Sequence, residues 1–192
     1  MSRRHALIAA AALVVSVVAI ILGWKIGQGR GGTVDTETVE SSELTAIEGQ
    51  TTIVELFFPG PGGRLFPEER EIPAQDDLLA KVRLILDGLL AGPETEDLFA
   101  ALPPEVTVNW LHLNPAGIFY VDLKFSGEAP FPAWGSRQEM LAVYSIVNTI
   151  LTSAPEINSV VLLRDGQQRA TFAGHLDTSR PLLGNPNLVA QR

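Results

Sequence analysis

The chain has 192 residues, of which 46% are apolar, so about one ordinary domain can form besides a membrane segment. It contains no cysteine, which excludes a disulfide framework, a thiolate nucleophile and a Cys-ligated zinc site. All 22 acidic residues lie from Asp35 onward together with only 10 of the 14 basic residues, so this part carries a net charge of −12. That charge disfavours binding to nucleic acid and to anionic lipid, because both expose phosphates.

Residues 6–24 predict a transmembrane helix. The run is almost entirely apolar and spans roughly 28 Å at about 1.5 Å per residue, close to the thickness of a hydrocarbon core. Arg3 and Arg4 precede it, which favours a single-pass protein of the cell membrane with residues 1–5 inside and the domain on the extracytoplasmic side. A cleaved signal peptide is the alternative interpretation.

Residues 25–50 predict a flexible acidic linker between the anchor and the domain. Glycines give it freedom and carboxylates keep it hydrated. These residues are Gly27, Gly29, Gly31, Gly32, Asp35, Glu37, Glu40, Glu43 and Glu48.

The first half of the outer part predicts a strand and a helix. Residues 51–58 are β-branched and aromatic, a Pro/Gly-rich turn follows, and residues 64–73 form a short extended piece. Asp76 or Asp77 can cap the helix that comes next, and Gly92-Pro93 ends it. Its apolar face comprises Leu78, Leu79, Val82, Ile85, Leu86, Leu89 and Leu90.

The second half predicts two hairpins with a helix between them. The first hairpin joins residues 106–113 to residues 117–124, with Phe119, Val121 and Leu123 toward the core and Tyr120 and Asp122 on the other side. Ser136 and Glu139 have the spacing of a capping box that opens the helix, whose apolar face includes Val143, Val147, Ile150 and Leu151.

The last hairpin is expected to join residues 159–163 to residues 169–172 around Asp165-Gly166. The order strand, helix, hairpin, helix, hairpin predicts an α+β two-layer sandwich, with two helices packed on one antiparallel-rich sheet and preceded by the transmembrane helix. The domain is assigned to residues 51–182, and residues 183–192 are expected to form an irregular tail.

Six short motifs follow one another in this outer part. They are Phe57-Phe58-Pro59, LFPEEREI at 65–72, Leu89-Leu90-Ala91-Gly92-Pro93, Leu102-Pro103, Tyr120-Val121-Asp122-Leu123 and VYSIVNTI at 143–150. Their order resembles the GerMN domain of sporulation and spore-germination proteins. Lys124 departs from the small hydroxyl residue usual in that family, and a helix replaces the lipid anchor of many members.

The resemblance implies a non-catalytic cell-envelope protein, because members are envelope-associated, are often tied to sporulation or wall processes, and are not known as catalysts. The family's fold also resembles ring-building domains, which implies a role in protein–protein contact or assembly. Another envelope protein or a second copy is the expected partner, with no small-molecule substrate. The alternative function is a regulator or accessory factor of peptidoglycan remodelling, and less so an enzyme.

We predict no catalytic, cofactor-binding or metal site, and no cofactor. His5 lies in the basic flank of the anchor, His112 on a strand as a half-buried packing residue, and His175 with Asp177 forms an H-x-D pair without a third ligand nearby. The carboxylate pairs Asp76-Asp77 and Glu68-Glu69 are better explained as a helix start and as solvated charges.

Five further residues carry expectations. Ser136 and Ser145 have no local base that would make either a nucleophile. Asn148 flanks an apolar helix face and is expected to bond to the main chain. Leu84 and Ile146 project away from the apolar faces of their helices and could mark an exposed patch for a partner.

Overall fold

A computed structural model of the chain describes residues 49–126 and 134–191. The predicted cytosolic segment 1–5, the anchor 6–24 and nearly all of the linker lie outside these residues. Within the described ranges, no helix is both long enough and apolar enough to cross a membrane. The described residues form five strands, two helices and two short 3-10 turns.

Strands β1 (Thr51–Gly60) and β2 (Arg64–Pro73) form an antiparallel two-stranded sheet, which we call sheet 1. The 3-10 turn Pro61–Gly63 joins them, with both of its glycines at positive φ. The sequence predicted only an extended piece at residues 64–73, so the first element is a hairpin rather than a single strand. Pro67 and Pro73 are compatible with β2 because they occupy positions whose main chain points away from β1.

Helix α1 (Leu78–Ala91) begins and ends as predicted. The carboxylate of Asp77 accepts the N–H of Ala80 at 2.7 Å, which caps the first turn. Gly92 ends the helix at a φ of 93°, a conformation that costs glycine little. The buried face consists of Val82, Ile85, Leu86 and Leu89.

Strands β3 (Val106–Leu113), β4 (Ile118–Phe125) and β5 (Ser159–Arg164) form sheet 2, with β4 in the middle. The hairpin of β3 and β4 is confirmed, but a bulge at Asn109 interrupts the register between Val108 and Trp110. The bulge shifts the alternation of inward-facing and outward-facing side chains along β3 by one residue. His112 is therefore exposed beside Tyr120 rather than half-buried in line with Val108.

Helix α2 (Ser136–Ser153) contradicts the predicted capping box. Gly135 is the N-cap residue and no side chain caps the helix start. Ser136 is exposed, and Glu139 is fully buried and bonds to a distant loop. The reason is that three main-chain N–H groups elsewhere in the fold offer this carboxylate a better-shielded site than its own helix start does.

Strand β5 pairs with β4 in parallel, because α2 carries the chain back across the sheet between them. The predicted second hairpin is therefore wrong. Asp165 and Gly166 do turn the chain, both at positive φ, but the bridge Arg164–Gln167 is the only pairing across this turn, and residues 169–172 form no strand.

Residues 182–190 cross from sheet 2 to sheet 1, and we call them the strap. Leu182 exchanges two main-chain hydrogen bonds with Val160 at 2.7 and 2.9 Å. At the other end, the N–H of Ala190 donates to the carbonyl of Leu65 at 2.8 Å, beside a parallel bridge to Val189. The expected irregular tail thus has little regular structure but is fixed at both sheets.

The main hydrophobic core is formed by residues of both sheets and both helices, and a smaller cluster contains Phe57, Leu65 and Leu141. The main core contains Leu56 and Phe58 of β1, Val121 of β4 and both helices, where Leu86, Leu89 and Val147 are buried as predicted and Leu151 is half-buried. The predicted α+β fold with two helices on antiparallel-rich strands is confirmed, although the strands form two sheets.

Candidate functional site

Three hydroxyl residues of α2, spaced four apart, close the free edge of β1. The N–H of Phe57 donates to Thr149 Oγ1 at 2.9 Å, and Ser145 Oγ donates to the carbonyl of Phe57. One turn later, Ser153 Oγ donates to the carbonyl of Glu55 at 3.1 Å. These hydroxyls replace a neighbouring strand, so Ser145 has a structural partner rather than a base.

Glu139 holds the loop that follows β5. Its buried carboxylate accepts the N–H groups of Ala173, His175 and Leu176 at 2.6, 2.8 and 3.1 Å, and the imidazole Nδ1 of His175 lies 2.9 Å from Oε2. Burial alone would raise the pKa of Glu139, but these hydrogen bonds outweigh it and lower the pKa below its ordinary value.

The two residues of the H-x-D pair, His175 and Asp177, bond to different partners. His175 bonds to Glu139, whereas the carboxylate of Asp177 accepts the N–H and the hydroxyl of Ser179 at 2.9 and 2.6 Å. Among residues 49–126 and 134–191, no group of three histidine or acidic residues is arranged to hold a metal ion.

Glu68 has a comparable structural role near the end of α1. It accepts the N–H groups of Glu94 and Thr95, the latter at 2.9 Å, and pairs with Arg70. Its burial would raise the pKa, but the hydrogen bonds from Arg70 and the main chain lower it to about 2. Its sequence neighbour Glu69 is exposed, as expected for a solvated charge. The same expectation is wrong for Glu68, because Arg70 and two main-chain N–H groups hold its carboxylate.

Asp122 and Asn148 are buried polar residues with well-defined partners. Asp122 accepts the side-chain amide of Asn109 at 2.6 Å and the N–H of Gly166 at 2.8 Å, which ties the bulge of β3 to the turn after β5. The side chain of Asn148 exchanges two bonds with the main chain of Asn185 in the strap, at 2.8 and 3.3 Å. The expectation that Asn148 bonds to the main chain is confirmed.

The predicted partner patch of Leu84 and Ile146 is wrong. Ile146 is 1% exposed and Leu84 packs half-buried against the core. Helix α2 is covered on more than one side, because sheet 1 and the strap contact the surface that a two-layer sandwich would leave open. Among the residues that the structure describes, the large apolar ones that are exposed instead are Ile53, Leu79, Phe99, Trp110 and Leu183.

Two cavities of about 440 Å³ each adjoin the strap. One lies between the strap and α2, where Phe57, Asn148 and Leu151 contribute to its wall. The other lies at the outer edge of β2 and is lined by Arg64, Phe66, Ala190 and Gln191. Both have the size of ligand or side-chain binding sites.

The sequence profile of the Germane family, described as "Sporulation and spore germination", matches residues 55–170, well over half of the chain. The chain belongs to the Germane family. The expected resemblance to the GerMN domain is thereby confirmed. Among curated protein sequences, none matches the chain significantly.

Solved structures support the fold of the Germane domain. A candidate lipoprotein from Clostridium perfringens is 20% identical with a TM-score of 0.50, over 73% of this chain and 93% of that protein. The first GerMN domain of the sporulation protein GerM from Bacillus subtilis is 17% identical with a TM-score of 0.52, over 69% of this chain and 97% of that one.

The tandem GerMN domains of the same Bacillus subtilis protein are 18% identical with a TM-score of 0.54. The match covers 70% of this chain but only 46% of the tandem, so this Germane domain spans about half the length of that structure. At these identities the likeness concerns the fold alone.

Proposed function

We propose that this chain is a non-catalytic, membrane-anchored envelope protein whose Germane domain acts through protein contact in sporulation, germination or cell-wall processes. The proposal rests on one observation: the carboxylates shielded from water have structural partners within the fold, whereas several large apolar side chains are exposed. The buried carboxylates Glu139 and Asp122 and the half-buried carboxylate Glu68 all hold main-chain N–H groups. The side chains of Ile53, Leu183 and Phe99, by contrast, are 68%, 67% and 61% exposed.

Exposed side chains of this size favour contact with another protein, because their burial removes apolar surface from water. A membrane tether strengthens such a contact, since it confines the domain to a plane and raises the effective concentration of a confined partner. The anchor and the extracytoplasmic position are part of the proposal. They are supported by the apolar run at residues 6–24 and by the fold shared with a candidate lipoprotein.

Site-specific photo-crosslinking in intact cells tests the contact function. A photoreactive residue is placed at Ile53, Phe99 or Leu183 of the full-length protein, and at exposed Glu156 as the control. We expect discrete crosslinked protein species from at least one apolar position and none from Glu156. No specific species from any apolar position would overturn the proposal.

The topology is tested separately. A reporter fused after Arg192 should be active outside the cytoplasm, and the mature protein should retain its N-terminus. An N-terminal sequence beginning near Arg30 would show that the apolar segment is a cleaved signal peptide instead.

A further inference from the structure

The two ends of the β1–β2 hairpin differ in charge. Arg64 lies at the turn end, where Arg137 of α2 also contacts the turn. At the open end, Ile53 pairs across the strands with Glu71, and Glu55 pairs with Glu69. Sheet 1 therefore carries basic side chains at its turn end, whereas at the open end Glu55, Glu69 and Glu71 outnumber Arg70.

Main-chain carbonyls hold the two arginines of the turn end. Arg137 Nη2 donates to Gly62 and Gly63 at 2.7 and 2.9 Å, and Arg64 Nη1 donates to Asn187 of the strap at 3.2 Å. Within the described part of the chain, the ion pairs involve Arg70 and His175 but neither of these arginines. Their positive charges are thus fixed in place and available to a carboxylate from outside.

The approach of Arg137 depends on a glycine. Gly63 has a φ of 64°, and a Cβ on it would lie 2.1 Å from Arg137 Nε. The side chain of Arg137 therefore rests directly on the turn, next in sequence to Arg64. The Pro-Gly-Gly turn brings two guanidinium groups to the same end of the sheet.

A recess lined by both polar and apolar side chains lies beside this basic end. It is the cavity of about 440 Å³ at the outer edge of β2, which half-buried Phe66 and exposed Arg64 both line. The cavity has room for a branched aliphatic side chain.

The acidic end carries an exposed branched aliphatic side chain of the size that fits this cavity. Ile53 is 68% exposed, the most exposed of the large apolar residues described, and the carboxylates of Glu69 and Glu71 flank it on the neighbouring strand. Carboxylates next to each other on one sheet face repel, so this end gains from an incoming positive charge.

We propose that the partner for these two ends is a second copy of this chain. Ile53 of one copy enters the cavity beside Phe66 of the next, and Glu69 and Glu71 meet Arg64 and Arg137. This inference rests on the proposed contact function and names its partner. Charge complementarity favours self-association in this orientation, although the domain as a whole is acidic.

One molecule cannot make this contact with itself. Ile53 lies seven residues along β1 from Gly60, the cross-strand neighbour of Arg64. At about 3.3 Å per residue, this separates the two ends by roughly 23 Å. The contact joins different surfaces, so each pair of copies leaves one free acidic end and one free basic end, and the assembly can extend beyond a dimer.

Cysteine crosslinking tests the contact directly, because the natural chain contains no cysteine. Full-length Ile53→Cys and Gln191→Cys chains with different tags are expressed together in one membrane and oxidised. We expect a disulfide between the two different chains in preference to either like pair. Ile53→Cys with Glu156→Cys is the control and should give only background, since Glu156 is exposed but does not line the cavity.

A chain that carries both Ile53→Cys and Gln191→Cys should give trimers and longer products as well as dimers. Like pairs that form as readily as the mixed pair, or products that stop at the dimer, would overturn the head-to-tail arrangement. Both substitutions are at exposed positions, and unchanged thermal unfolding of each variant checks that the fold is intact.

Reversing the charge of Glu71 or Arg64 tests whether these two residues form an ion pair between copies. Glu71→Arg on the Ile53→Cys chain, or Arg64→Glu on the Gln191→Cys chain, should lower the mixed disulfide about two- to five-fold, the size expected for one exposed pair. The two reversals together should restore the yield. A combined variant no better than either single reversal would contradict the pairing.

The two proposals fail differently. If no mixed disulfide forms while photo-crosslinking at Phe99 or Leu183 still captures an envelope protein, the head-to-tail contact is overturned and the contact function stands. If neither experiment yields a specific product, both are overturned.

Discussion

The imidazole Nδ1 of His175 lies 2.9 Å from the carboxylate of Glu139, although 36 residues separate them in the chain. The same carboxylate accepts the N–H groups of Ala173, His175 and Leu176, so one buried side chain fixes the loop after β5 to the first turns of α2. That loop leads into the strap, which makes this attachment important for the stability of the domain.

Glu139→Ala should therefore be strongly destabilising. It removes the acceptor of three main-chain N–H groups, and each buried donor left without a partner costs about 1 to 3 kcal/mol. We expect the free energy of unfolding, measured in urea on the domain, to fall by at least about 3 kcal/mol. His175→Ala is the control and should cost much less, because the three main-chain bonds remain. Equal losses for both variants would assign the effect to the imidazole.

The domain should lose stability in acid through Glu68. The pKa of Glu68 falls from 4.5 to about 2 on folding, so its contribution is complete above pH 4.5 and is lost as the pH falls toward 2. The difference corresponds to at most about 3 kcal/mol. Glu68→Gln should flatten the dependence of the urea midpoint on pH in this window, whereas Glu69→Gln, at an exposed position, should not. An unchanged slope for Glu68→Gln would contradict the assignment.

Thr149→Val tests the closure of the β1 edge by hydroxyl groups. Valine keeps the shape of threonine but leaves the buried N–H of Phe57 without an acceptor, which should cost about 1 to 3 kcal/mol. Ser136→Ala on the same helix should change the unfolding free energy by no more than about 0.5 kcal/mol, because Ser136 makes no cap. A loss near 1 kcal/mol for Ser136→Ala would instead indicate the capping box.

Leu89→Ala tests the buried face of α1. Leu89 is 2% exposed, so truncation should leave a cavity and cost about 2 to 5 kcal/mol. Leu79→Ala is the matched control on the same helix, where the side chain is 37% exposed and the loss should be about 1 kcal/mol or less. If the thermal midpoints of Leu89→Ala and the parent agreed within a degree or two, the assignment of the helix face would be wrong.

Local sequence determined those elements whose signals act within a few residues. Asp77 and Gly92 bound α1 because capping and positive φ are local preferences. The alternation in β4 placed Phe119, Val121 and Leu123 in the core, because side chains of a strand alternate between its faces. The order of the six motifs also identified the family, which the profile match confirms.

Tertiary structure decided the features that depend on distant partners. A single bulge at Asn109 reversed the expected side of His112, and α2 placed β5 parallel to β4. Ile146 is buried because α2 has neighbours on more than one side, whereas the periodicity of a helix reveals only its most apolar face. Glu139 met every local requirement of a capping box, yet it bonds to N–H groups at residues 173–176, because an ionised carboxylate shielded from water is most stable where several donors converge.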